Sequence, residues 1–207
     1  MTEDEAREWI RAHFNVSRET QLQRFGEILR AESGRQNLIS AASFETLWAR
    51  HFVDSAQLIP LAEEAGEGAW LDIGTGAGMP GLVVALLLER PVVMIEPRIR
   101  RVEFLRAAIA ELGIGATATV EHCKVEAYKP KHKAAIVSAR AVAALPDLFK
   151  STAHCADSST IWLLPKGQSA HSEVEDARAK WQGVFHVEPS ITSPESGIVV
   201  ARKVRPR

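Results

Sequence analysis

From Ala69 onward, short apolar runs closed by Gly or Pro alternate with amphipathic segments of helical length, and no other feature limits the fold of this chain so tightly. The runs fall at 69–73 (AWLDI), 92–96 (VVMIE), 117–121 (TATVE), 134–138 (AAIVS) and 160–164 (TIWLL), with helices near 80–90, 98–112, 144–156 and 170–181. Strands joined by helices run parallel with right-handed crossovers. The pattern therefore predicts an α/β fold, a doubly wound, mostly parallel sheet that carries its ligand at the carboxyl ends of its strands. Two last runs, 184–188 and 197–204, have no helix between them and should pair antiparallel at one edge, for seven strands in all. The low-complexity stretch SITSPESG, 190–197, reads as their connecting loop.

Ahead of this alternation the chain reads as helix. Thr2 with Glu5 fits a capping box, and Ser17 is placed to cap a second helix with Leu22, Phe25, Ile28 and Leu29 on its apolar face and Gly34 at its end. Ser43 is placed to cap a third helix running to about Ile59, where Pro60 stops it. Residues 1–65 are thus expected to form a helical extension packed on a main domain of residues 66–207.

Composition narrows the function classes. At 207 residues and 46% hydrophobic content the chain can bury a core without disulfide or metal support. Cys123 and Cys155 belong to no C-x-x-C, and the pairs His122-Cys123 and His154-Cys155 match no metal-site spacing, so no metal is expected. The acidic start MTEDEAREWI is unlike a secretory signal, and the apolar stretch Gly81 to Leu88 is far short of a membrane span. The expected location is the cytoplasm, and a monomer is the default. Residues 1–70 hold 7 Lys/Arg against 12 Asp/Glu, and residues 71–207 hold 18 against 14, so the basic surplus lies in the second part.

The sharpest local signal is Asp72-Ile73-Gly74-Thr75-Gly76-Ala77-Gly78-Met79-Pro80-Gly81, between the first strand and the helix it feeds. Gly76-x-Gly78-x-x-Gly81 matches a dinucleotide fingerprint literally, with Glu96 at the end of the second strand placed to accept ribose hydroxyls. Two cofactors compete for such a loop. A dinucleotide brings a pyrophosphate, whereas S-adenosylmethionine brings a sulfonium and an ammonium. Asp72, at the strand end with no Lys or Arg in the loop to offset it, favours the cationic ligand. The alternative is a tight turn with no ligand. Val125 and Glu126 follow the third strand, where an adenine ring would be bordered, although Glu126 can equally open a short helix. Arg140 and Lys166 follow the fourth and fifth strands at the same rim and are candidates for holding a phosphate. Solvated rim charges are the plainer reading of both.

Together these pieces resemble the RsmG (GidB) family of bacterial 16S rRNA guanine-N7 methyltransferases. The resemblance spans nearly the whole chain: Arg35-Gln36-Asn37-Leu38-Ile39, Arg50-His51-Phe52-Val53-Asp54-Ser55, the glycine loop, Glu96, Arg100-Arg101-Val102-Glu103-Phe104-Leu105, Val125-Glu126, Ser138-Ala139-Arg140-Ala141 and Pro165-Lys166-Gly167. It implies a class I methyltransferase fold and methyl transfer from S-adenosylmethionine to N7 of one guanosine in 16S rRNA. The naked rRNA and the small ribosomal subunit both stand as partners. The family's cofactor positions fall on Gly74, Met79, Val125, Glu126 and Arg140, beside Asp72, Gly76, Gly78 and Glu96 from the reading above; Met79 stands where Phe or Leu is more usual.

Guanine N7 carries a free lone pair at neutral pH, so this transfer needs no general base, and the chain shows no Gly-x-Ser-x-Gly elbow or recognisable triad. Arg140 and Lys166 are the candidates for orienting base or phosphate. Between Arg98 and Arg140 nine Lys/Arg face four acids, a surface suited to RNA, which Arg202, Lys203, Arg205 and Arg207 are expected to extend. Arg planes or Trp48 are the candidates for base stacking, although a place in the core is the preferred reading of all five Trp. Three alternatives stay open at this point: a small-molecule methyltransferase, a nicotinamide-dependent reductase and a non-catalytic RNA-binding protein.

Overall fold

The computed structural model describes residues 1–207. Trp70–Ile73 forms β1, and all four of its residues are buried because helices cover both faces of the sheet. The chain continues through α4 (Gly81–Leu87), β2 (Val92–Ile95), α5 (Ile99–Leu112), β3 (Ala118–Glu121), β4 (Ile136–Ala139), α6 (Leu145–Thr152), β5 (Ile161–Lys166), α7 (Ala170–Arg178), β6 (Trp181–Pro189) and β7 (Gly197–Pro206). The sheet order is β3-β2-β1-β4-β5-β7-β6. The first five strands are parallel, and β7 lies antiparallel between β5 and β6. The order reverses between β1 and β4, which opens a crevice above their carboxyl ends.

Alternation along β1 divides the core. Trp70 joins the larger cluster of buried side chains with Leu82, Val102 and Leu105, while Leu71 and Ile73 join a second with Phe149 and Trp162 on the opposite face. The strands and helices expected from the pattern are all present, with ends displaced by a few residues. α4 stops at Leu87, where Leu88 turns extended, and the last hairpin is longer at both ends than the apolar runs alone indicated.

The extension departs further from expectation. α1 (Glu3–Phe14) carries the predicted capping box, with Thr2 Oγ1 accepting from Glu5 N at 3.2 Å and Glu5 Oε2 accepting from Thr2 N at 2.7 Å. α2 (Val16–Glu32) is capped by Asn15, not Ser17. Asn15 sits at φ 94, which lets the chain turn between the two helices in one residue, and its Oδ1 accepts from Arg18 N at 3.0 Å. α2 ends at Ser33 in a right-handed conformation, so Gly34 does not serve as the left-handed stop.

The expected third helix is broken into a 3-10 turn at Ala41–Phe44, a π segment at Trp48–Val53, the single turn α3 (Asp54–Ala56) and a 3-10 turn at Pro60–Ala62. Ser40, rather than Ser43, caps the first piece. Glu3 fixes the second: its carboxylate accepts from the N–H groups of Trp48 and Ala49, both at 2.9 Å, and so starts a helix there. α2 packs on α4 and α5, and the larger core cluster runs without a break from Ala6 in the extension to Val200 in β7.

Candidate functional site

The glycine loop folds over the two carboxylates that precede and follow it in space. Glu96, just past β2, is almost fully buried; its Oε2 accepts from Gly76 N at 3.0 Å and its Oε1 from Arg98 N at 2.9 Å. Each oxygen keeps a further lone pair for a ligand hydroxyl. Arg101, on the first turn of α5, brings its guanidinium to 3.9 Å from the same carboxylate. Gly74, Gly76 and Gly78 all lie at positive φ. A Cβ on Gly74 would stand 2.8 Å from Val142, so only glycine lets the segment after β4 cross the loop.

Asp72 is placed differently from expectation. It has no solvent exposure, and its Oδ2 accepts from Gly81 N at 2.9 Å while its Oδ1 accepts from the Ser138 hydroxyl at 2.7 Å. Ser138 in turn takes the indole N–H of Trp70 at 2.8 Å. The carboxylate therefore sits beneath the loop and pins the start of α4 to β4, with no exposed surface for contact with a ligand. Burial pushes its pKa up to about 6, against the opposing pull of the hydrogen bonds from Ser138 and Gly81.

Met79 is buried under the loop, and Val125 is buried in the cluster that holds Ile73, Ile95 and Ala139. Glu126 is exposed on the short 3-10 turn Val125–Ala127, so the turn that was the plainer alternative is present. Neither of the two rim cations is free. Arg140 donates to Asp54 Oδ2 at 3.1 Å, to the Arg50 carbonyl at 3.3 Å and to His51 Nδ1 at 3.1 Å, which ties β4 to the helical extension. Lys166 donates to Glu173 at 2.7 Å and to the Ala143 carbonyl at 2.7 Å. Glu173 also accepts from Leu145 N at 3.1 Å and from the Ser169 hydroxyl at 2.9 Å, so this pair clasps the segment that crosses Gly74. Burial raises Glu173, but Lys166 and the other donors outweigh it and hold the carboxyl below its ordinary value.

Between these clasps, at the carboxyl ends of β4 and β5, lies an open cleft of about 510 Å³ lined by Arg140, Ala143, Lys166, Glu173 and Ser196, among others. A second polar groove continues from it along the extension, sharing Asp54, Arg140 and Ser196. His51 stands where the two meet; burial and the charges of Arg140 and Arg50 lower its pKa to about 4, so it is neutral at pH 7.

Other expectations meet a different geometry. β7 is antiparallel and places Arg202 beside Ile161, at the end where the parallel strands begin, so Arg202, Lys203, Arg205 and Arg207 lie away from the rim and do not extend its basic surface. Trp48 is buried in the core, the preferred reading of it, and cannot stack a base. His122 and His154 bond to the carbonyls of Pro97 and Tyr128. Sequence reasoning gave no role to Asp54, His51 or Glu173. The first two lie in the quoted Arg50–Ser55 segment, which was a usable signal, whereas a single acid on a helix face gave none for Glu173.

The model of the family described as rRNA small subunit methyltransferase G (GidB) matches residues 18–197 of the chain. The chain belongs to this family. It is 43% identical over 208 residues to the ribosomal RNA small subunit methyltransferase G of Rhizorhabdus wittichii, an alignment that covers 100% of this chain and 95% of that one. It is 46% identical over 198 residues to the Sphingopyxis alaskensis protein of the same name, covering 94% and 84%. Among solved structures, a glycopeptide N-methyltransferase in complex with S-adenosylhomocysteine superposes with a TM-score of 0.59 at 12% identity, over 73% of this chain and 89% of that one. A Thermotoga maritima O-methyltransferase gives 0.55 at 11% identity, over 74% and 66%. These place the fold among methyltransferases of this family's type and leave the nicotinamide reading of the glycine loop without support. No helix is long and apolar enough to cross a membrane.

Proposed function

We propose that the chain transfers a methyl group from S-adenosylmethionine to N7 of a guanosine in 16S rRNA, as a cytosolic monomer in which residues 1–65 are an extension of the methyltransferase domain 66–207. The observation that carries this reading is the convergence, on one rim, of the glycine loop backed by Glu96 and an open polar cleft, in a chain that matches the family over residues 18–197. The residues fit the cofactor: Glu96 keeps lone pairs for ribose hydroxyls, Val125 offers an apolar edge beside the exposed Glu126, and the loop glycines admit close backbone approach. When bound there, S-adenosylmethionine supplies an electrophilic methyl group.

The protein's own part is positioning. N7 of guanine is already unprotonated at neutral pH, so no side chain has to remove a proton, and His51, neutral and hydrogen-bonded to Arg140, is not required as a base. Arg140 is held on three sides and presents a fixed cation at the mouth of the cleft, suited to orienting the base or its phosphate. Lys166 contributes through Ala143, by fixing the segment that crosses Gly74, rather than as a free phosphate ligand. Alignment of reacting groups can lower a barrier by about 7–11 kcal/mol in favourable systems, enough to make positioning the main contribution here.

The test is transfer from radiolabelled S-adenosylmethionine to ribosomal RNA from cells lacking the protein, followed by cleavage chemistry selective for N7-methylguanosine. Label at one 16S guanosine is expected. Label confined to a metabolite fraction, or to another base position, would overturn the reading.

A further inference from the structure

The groove beside the cleft carries its own chemistry. It has a volume of about 540 Å³, lies between the π segment and the 190–196 loop, and is lined by Thr46, Arg50, His51, Arg140, Ser193 and Ser196, among others. Arg50 is exposed, with no ion-pair partner and no intramolecular acceptor for its guanidinium; only its carbonyl is engaged, by Arg140. The hydroxyls of Thr46, Ser193 and Ser196 likewise make no hydrogen bond within the protein. His51 accepts from Arg140 through Nδ1, which leaves Nε2 as a donor, and that atom is buried without a partner.

The one carboxylate in the groove, Asp54, is already engaged by Arg140, by the Thr192 hydroxyl at 3.1 Å and by the Gln57 amide at 3.0 Å. What remains unengaged is a set of donors and the Arg50 guanidinium, with two hydrophobic residues in the lining. An apolar ligand or a stacked base would find little to contact. A chain of anionic groups would find Arg50 and several hydroxyls, the combination that holds phosphates in place without reading sequence. Arg50 lies in the π segment, where its carbonyl accepts from Arg140 while its side chain stays in solvent.

We propose that this groove binds the phosphodiester backbone of single-stranded RNA next to the nucleotide in the cleft, with Arg50 as its principal cation. The proposal rests on the rRNA reading above and adds the path of the strand: along the extension and the 190–196 loop, not toward the basic carboxyl terminus.

The test is fluorescence anisotropy with a short single-stranded oligoribonucleotide containing guanosine, across a range of salt, on the full chain. Arg50→Gln should weaken binding about fivefold at ~0.1 M salt and reduce the slope of log affinity against log salt by about 0.7, the loss of one phosphate contact on a single strand. Thr46→Val should weaken it about threefold through a lost hydrogen bond to phosphate, with no change of slope. Arg205→Gln, at the far end of β7, should change neither. Calorimetry with S-adenosylhomocysteine should give the same affinity for all three variants as for wild type. Equal effects of Arg50→Gln and Arg205→Gln, an unchanged slope in Arg50→Gln, or a loss of S-adenosylhomocysteine binding in that variant would each overturn the proposal. An enzyme that methylates rRNA while Arg50→Gln keeps the full slope refutes the groove alone; one that binds the oligonucleotide with the predicted slopes yet methylates no rRNA refutes the function alone.

Discussion

Asp72 and His51 place opposite pH dependences in the same window, and substituting either should expose the other. Asp72 has its pKa raised from 3.8 to about 6, chiefly by burial. The folded chain then binds its proton more readily than the unfolded chain, so this contribution to stability is fully present below 3.8 and lost as pH rises through about 6. At about 1.4 kcal/mol per tenfold change in proton affinity, the ionised form costs about 3 kcal/mol. His51 is lowered from 6.5 to about 4, so its contribution is present above 6.5 and lost as pH falls through about 4. Solvent still reaches part of the ring, and allowing for its screening leaves about 2 kcal/mol. Between about 4 and 6.5 the two slopes largely cancel in the wild type. Asp72→Asn keeps an acceptor for Gly81 and can donate to Ser138, so the loop stays bonded while the titration disappears. Urea unfolding followed by tryptophan fluorescence, taken as variant minus wild type, isolates each group from the other carboxylates. That difference should move in favour of Asp72→Asn by about 3 kcal/mol from the acid to the neutral end of the window. For His51→Gln it should move the other way by about 2 kcal/mol. A difference flat with pH in Asp72→Asn would show that its two donors already hold the carboxyl at its ordinary value, and would refute the burial argument.

Gly81→Ala should destabilise the fold by about 1–3 kcal/mol in the same assay, because its Cβ would lie 2.6 Å from Met94 Cγ and 2.8 Å from Asp72 Oδ2, where little can give way. Glu96→Gln should weaken S-adenosylhomocysteine binding about 10–100-fold by calorimetry, the range for one hydrogen bond to a charged group. Glu173→Ala should release both Ala143 and Leu145 and lower kcat/KM about tenfold, with a steeper salt dependence of RNA binding as Lys166 becomes free to pair with phosphate.

The sheet was legible because its signals are local. Each βα unit carries its own apolar run, its breaker and its amphipathic stretch, and strands buried on both faces leave continuous hydrophobic runs that tertiary contacts only reinforce. The extension was legible only where its caps were local, as at Thr2 and Glu5. Its third helix failed because Glu3, whose partners Trp48 and Ala49 lie more than forty positions away, decides where that helix begins, and no periodicity records such a partner.

The same distinction governs the site. Spacing along β1, β2 and the glycine loop put both Asp72 and Glu96 at strand ends, whereas Asp72 lies inside the paired part of β1 and Glu96 just past that of β2. Whether such a carboxylate meets a ligand or the fold depends on which donors reach it. Asp72 is engaged by Ser138, which β1–β4 pairing sets directly beside it, whereas Glu96 lies one residue beyond the paired part of β2, where β1 has given way to the glycine loop. A charge paired inside the ladder thus serves the fold, and one just past it remains available to a ligand. Arg140 follows it only in part: it lies one residue beyond Ala139, the last paired position of β4, and the sheet leaves it unpaired, but the extension engages it on three sides. If the rule holds, Ser138→Ala should impair stability more than cofactor affinity, and Arg140→Ala the reverse for RNA. Equal losses of stability in the two variants would show that the last ladder position does not divide structural from functional polar groups here.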